Sequence, residues 1–116
     1  MTFKYGIDHL TVPRVIAIAE GSMQAELTSQ TITAVRACRA KVEKMASGTE
    51  AVYGINTGFG PLCDVQITPA ETSTLQKNLL ITHAVGVGKN IDKQLSKIMM
   101  ICKVHALCQG YSGVRL

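Results

Sequence analysis

A mainly helical fold with two short extended pieces is predicted for this 116-residue chain. Three observations predict it. Apolar residues recur at spacings of three and four over long stretches, as on amphipathic helices. Helix-starting and helix-stopping residues bracket those stretches. Aromatic residues are scarce, with three Tyr, two Phe and no Trp, so the core must rest on Ile, Leu, Val, Met and Ala.

The opening TFKYGI has the composition of a short strand, near Phe3–Ile7. Thr11 can cap a helix that carries Pro13 in its first turn, where proline is tolerated. Val12, Val15, Ile16 and Ala19 then share a face, and Gly21 stops the helix. A longer helix is expected from about Ser29 to Ser47. Ile32, Val35, Cys38, Val42 and Met45 form its apolar stripe, with Arg36, Lys41, Glu43 and Lys44 off it and Gly48 as the stop. AVYGI gives the second extended piece, at Ala51–Ile55. Thr68-Pro69-Ala70-Glu71 has the form of a capping box with proline at the first helical position. The helix it opens runs through AETSTLQKNLLITHAV to Gly86 and places Leu75, Leu79 and His83 on one face. A last helix starts near Asp92 and ends by Gly110. Between Ile98 and Cys108 only Lys103 and His105 interrupt its apolar residues, and such a helix is expected to be buried in something larger.

Length allows one small domain over residues 1–116. With 47% apolar and 17% charged residues the chain suits a globular core, with a surplus that suggests an interface. The net charge of +4 is mild, and Lys and Arg are spread along the helices. A nucleic-acid surface would cluster them, often beside stacking aromatics. The four cysteines form no C-x-x-C pair, and no two histidines have metal-ligand spacing, so no metal site is expected. The start MTFKYGIDHL lacks the apolar core of a signal peptide, and no apolar run reaches the ~18 residues of a membrane span. A cytoplasmic setting is the natural default, with the cysteines packed as small hydrophobes.

The stretch AVYGINTGFGPLCD carries the most unusual local chemistry. Gly54, Gly58 and Gly60 are costly to order, and Tyr53 stands at their edge. The phosphate-loop pattern fails, because no Lys-Ser or Lys-Thr follows; in GVGKN, Lys89 precedes Asn90 and the segment follows a helix. Taken alone, Tyr53 fits an ordinary ring packed at a strand end and His83 a hydrogen-bonded core histidine. A catalytic tyrosine would need its pKa lowered from about 10, for example by backbone N–H donors. His9 and His105 are expected to be structural.

The combination is more specific than its parts. YGINTGFGPL from Tyr53, LQKNLLITHAVGVG from Leu75 and GYSGVR from Gly110, in this order and spacing, resemble the aromatic amino-acid ammonia-lyases. The likeness covers nearly the whole chain, including LTVPRVIAIAEG, and is greatest to members that deaminate L-histidine to urocanate. It implies the N-terminal helical domain of the ammonia-lyase (fumarase/aspartase-like) fold. It implies Tyr53 as the catalytic acid/base group on a mobile loop, and Gly60, Thr82 and His83 as substrate-binding residues. Histidine enzymes usually carry Ser-His where this chain has Thr82-His83; threonine keeps the hydroxyl and adds a methyl. The family's methylidene-imidazolone cofactor forms from an Ala-Ser-Gly triplet beyond the GYSGVR motif, and its active sites are assembled by homotetramer subunits of long helices.

The chain departs from that pattern further at the cofactor precursor. Its only Ala-Ser-Gly letters are Ala46-Ser47-Gly48, before Tyr53, where they serve as a helix stop. The cofactor precursor and the long-helix core are therefore expected in the remainder of a longer lyase, and this chain alone is expected to be inactive. Two alternatives stay open: a tyrosine or phenylalanine ammonia-lyase or aminomutase with the same cofactor, and a non-catalytic module that docks on a full-length lyase.

Overall fold

The computed structural model describes residues 2–116. Its elements are β1 (Phe3–Lys4), α1 (Val12–Glu20), β2 (Ala25–Glu26), α2 (Ser29–Ala46), a 3-10 turn (Gly60–Leu62), α3 (Pro69–His83) and α4 (Lys93–Leu107). The mainly helical class holds. Two compact units emerge, one made of residues up to Ala40 together with Asn90–Leu116, the other of Lys41–Lys89.

The first unit is built on α1 and α4. Val15, Ala19 and Ile101 form its buried cluster, with Tyr5, Leu10, Ile18 and Ile98 packed against it. α1 ends where the Gly21 N–H donates to the Ile18 carbonyl. Half of the face expected of α1 is wet: Val12 and Ile16 are exposed, whereas Val15 and Ala19 are buried. α4 begins on Asp92, whose Oδ1 accepts the N–H groups of Gln94 (2.7 Å) and Leu95 (3.3 Å). Met99 and Met100 are exposed, and only Ile101 of this helix is buried among the described residues.

β1 and β2 pair in parallel, with Phe3 opposite Ala25 and Lys4 opposite Glu26. The buried Thr31 of α2 donates its hydroxyl to the Tyr5 carbonyl at 2.8 Å, so a polar side chain ties α2 to the turn that follows β1. His105 is structural. Its Nδ1 accepts the Gly6 N–H at 3.3 Å, and its ring packs against Phe3 with centroids 5.6 Å apart. Cys108 is buried, and burial pushes its thiol pKa up. That keeps it a neutral packing group.

In the second unit α3 has the expected start. The Thr68 hydroxyl accepts the Glu71 N–H (3.3 Å) and donates to Glu71 Oε2 (2.7 Å), while the Thr68 N–H donates to the same oxygen (3.0 Å). These bonds, the side-chain one first, hold the Glu71 carboxyl below its ordinary range. A depressed carboxyl stabilises the fold while ionised and loses that contribution as pH falls through its lowered pKa. We therefore expect Thr68→Ala to speed amide exchange in the first turn of α3 about fivefold at neutral pH. The gap between variant and wild type should narrow as pH falls through the lowered Glu71 pKa. α3 ends at His83, three residues before Gly86, where the Ala84 N–H donates back to the Leu80 carbonyl at 2.9 Å.

One expected element is absent. Ala51–Ile55 is not a strand: the chain turns there, with the Ile55 and Asn56 N–H groups both donating to the Val52 carbonyl. Val, Tyr and Ile favour extended backbone, but a strand needs a ladder partner, and here a buried asparagine takes the Val52 N–H instead.

Candidate active site

Tyr53 sits on that turn. Its side chain is 65% exposed, and its ring meets Phe59 edge-on with centroids 6.2 Å apart. Two buried residues underlie it. Asn56 is 1% exposed and Thr57 is 2% exposed. The Asn56 Oδ1 accepts the Val52 N–H at 2.7 Å, and its Nδ2 donates to the carbonyls of Glu50 (2.9 Å) and Met45 (3.3 Å). Its backbone carbonyl accepts the Ile67 N–H at 2.9 Å. The Thr57 hydroxyl accepts the Gly54 N–H (3.4 Å) and donates to the Gly58 carbonyl (3.0 Å).

The loop then folds on itself. Thr57 and Gln66 form an antiparallel bridge, and the Gly58 N–H donates to the Val65 carbonyl at 3.1 Å. Gly58 is buried against the 3-10 turn: a Cβ there would lie 2.6 Å from the Leu62 Cβ. Gly60, at the start of that turn, is exposed and has φ +59°. Its backbone can therefore be approached with no side chain in the way.

Thr82 and His83 form the second part of the site, at the last turn of α3. Both are exposed. The His83 Nδ1 lies 2.9 Å from the Leu79 carbonyl oxygen and 3.1 Å from the Thr82 Oγ1. A carbonyl only accepts, so the His83 Nδ1 is the donor in this contact. The Thr82 hydroxyl donates to the Asn78 carbonyl at 2.9 Å, which leaves its oxygen free to accept from Nδ1–H. A cavity of about 360 Å³ opens beside this pair, lined by Gln76, Leu79, Leu80, His83 and Ala84. Tyr53 and Gly60 are not among its walls. The four site residues expected from the motifs thus lie in one compact unit, Tyr53 and Gly60 on the glycine-rich loop and Thr82 and His83 on the last turn of α3.

Residues 10–116 match the family described as aromatic amino acid lyase. The chain belongs to that family. It is 43% identical over 107 residues to the histidine ammonia-lyase of Shouchella clausii (strain KSM-K16), covering 92% of this chain and 21% of that protein. It is 39% identical over 109 residues to the histidine ammonia-lyase of Streptococcus gordonii, covering 94% of this chain and again 21% of the relative. The crystal structure of the tyrosine aminomutase from Streptomyces globisporus superposes with a TM-score of 0.87 at 25% identity, over 99% of this chain and 22% of that one. The chain therefore spans about a fifth of the length of the relatives it matches.

Members of the aromatic amino acid lyase family are expected to use a methylidene-imidazolone, and the Ala46-Ser47-Gly48 segment does not fit its precursor. Ala46 is the last residue of α2, the Ser47 N–H donates to the Glu43 carbonyl and the Gly48 N–H to the Met45 carbonyl, both at 3.1 Å. Cyclisation would need the glycine nitrogen to close onto the alanine carbonyl carbon. Here that nitrogen is held in a helix-ending hydrogen bond instead.

Asn56 and Thr57 were not singled out by sequence. A signal was present, since Asn inside a glycine-rich turn often bonds its neighbouring backbone. Nothing in the sequence indicated that the pair would be buried.

Proposed function

We propose that this chain is the N-terminal domain of a histidine ammonia-lyase, which converts L-histidine to urocanate and ammonia without oxidation. The observation that carries the substrate choice is the 2.9 Å contact of the His83 Nδ1 with the Leu79 carbonyl oxygen. With Nδ1 bound to the Leu79 carbonyl, Nε2 is left as an acceptor for the N–H of an imidazole substrate. The roughly 40% identity to proteins named histidine ammonia-lyase supports the same reading.

In this reading the chain's residues divide the work. His83 orients the substrate ring, and Thr82 keeps the His83 proton on Nδ1. Gly60 lets backbone approach the substrate. The Tyr53 Oη takes up or gives a proton as the amino acid loses ammonia, within the range that general acid–base groups supply. The methylidene-imidazolone would supply the electrophile, from residues outside this chain. The remainder of the lyase and homotetramer partners would complete the site in the cytoplasm. No helix among the described residues is long and apolar enough to cross a membrane.

The test is substrate preference in the complete enzyme. We expect His83→Leu to lower kcat/KM for L-histidine about tenfold or more beyond any loss on L-tyrosine or L-phenylalanine, because one substrate N–H is left unpaired. Equal losses on the three amino acids would remove His83 from the pocket. Preference of the wild type for L-tyrosine would favour a tyrosine lyase or aminomutase.

A further inference from the structure

We propose that Asn56 is a positioning residue for Tyr53: its buried amide ties the turn at residues 52–56 to the end of α2 and so sets where the phenol stands. The inference that this matters to turnover rests on the lyase reading above. The structural part does not.

The side chain is chemically over-determined. At 1% exposure it must satisfy every polar atom within the protein. One acceptor is needed for the Val52 N–H, immediately before Tyr53, and two donors are needed for the carbonyls of Glu50 and Met45. A primary amide supplies that set, and the partners dictate which way it faces. Aspartate would keep the acceptor, lose both donors and set a negative charge against two carbonyl oxygens. Glutamine would carry its amide one methylene away from the positions these three partners require. The backbone of the same residue extends the tie, its N–H to the Val52 carbonyl and its carbonyl to the Ile67 N–H. Tyr53 is thereby flanked by a residue bonded from both of its own backbone groups, while its own side chain is largely in solvent. Its placement must come from the turn beneath it.

The experiment compares wild type, Asn56→Asp and Asn56→Ala. In the 116-residue protein, amide exchange at Val52, Ile55 and Ile67 should accelerate about tenfold or more in both variants, with α3 amides retained and the Tyr53–Phe59 ring contact weakened by NMR. Acidification should restore protection in Asn56→Asp, whose protonated carboxyl regains a donor, and not in Asn56→Ala. Unchanged exchange and an intact ring contact would overturn the proposal. So would protection lost equally through α3, which would make Asn56 a general stabiliser of residues 41–89. In the complete lyase, Asn56→Asp should lower kcat with little change in KM, and should add nothing further on a Tyr53→Phe background. Additive losses would overturn action through Tyr53. The exchange arm contains no substrate, so failure of the lyase reading would appear in the turnover arm alone.

Discussion

Replacing Tyr53 with phenylalanine in the complete enzyme is expected to lower turnover of L-histidine by about 10²- to 10⁴-fold, the contribution of a positioned acid–base group. The substitution removes one oxygen and leaves the ring. That ring is 65% exposed and its contact is with Phe59, so phenylalanine keeps the packing. Among the described residues no hydrogen bond to the hydroxyl holds the fold together. Circular dichroism and thermal unfolding should therefore match wild type while kcat collapses. Turnover within a few-fold of wild type would remove Tyr53 from the chemistry and would leave the substrate reading resting on His83. Loss of structure together with activity would instead assign the hydroxyl a folding role.

Gly6→Ala is the change expected to cost the most stability. Gly6 has φ +77°, a left-handed conformation that side chains rarely adopt. A Cβ there would fall onto the carbonyl oxygen of Cys108, at the end of α4. The position also donates its N–H to His105. Backbone strain and overpacking together should cost about 3 kcal/mol or more, a large part of the stability of a small domain. Gly21→Ala is the matched control. Gly21 has φ +82°, but a Cβ there would meet nothing within 4 Å. Only the strain of about 1–3 kcal/mol remains. Thermal unfolding of the two variants separates the terms. Equal shifts in Tm would show that the approach of Cys108 to Gly6 relaxes without cost.

The helices are the part of this chain that its sequence makes legible. Capping is local chemistry written in adjacent residues. Thr68 and Glu71 lie three positions apart and find each other in any helix that starts there, and Asp92 needs only the next turn of its own backbone. The motif resemblance likewise named Tyr53, Gly60, Thr82 and His83, because order and spacing are properties of the linear chain.

Pairing and burial are not local, and there the outcome differed. Ala51–Ile55 has strand composition, yet it turns, because the amide of Asn56 claims the Val52 N–H that a ladder would have used. β2 at Ala25–Glu26 has no strand signal and exists through its partner Phe3–Lys4, more than twenty residues earlier. α4 is apolar nearly all round, yet Met99 and Met100 stand in solvent, since a helix's periodicity does not say which of its faces a neighbour covers. Residue type and spacing carry the chemistry of a side chain. Its neighbours, and therefore its burial and its hydrogen-bond partners, are set by chain segments far away in sequence that only folding brings near.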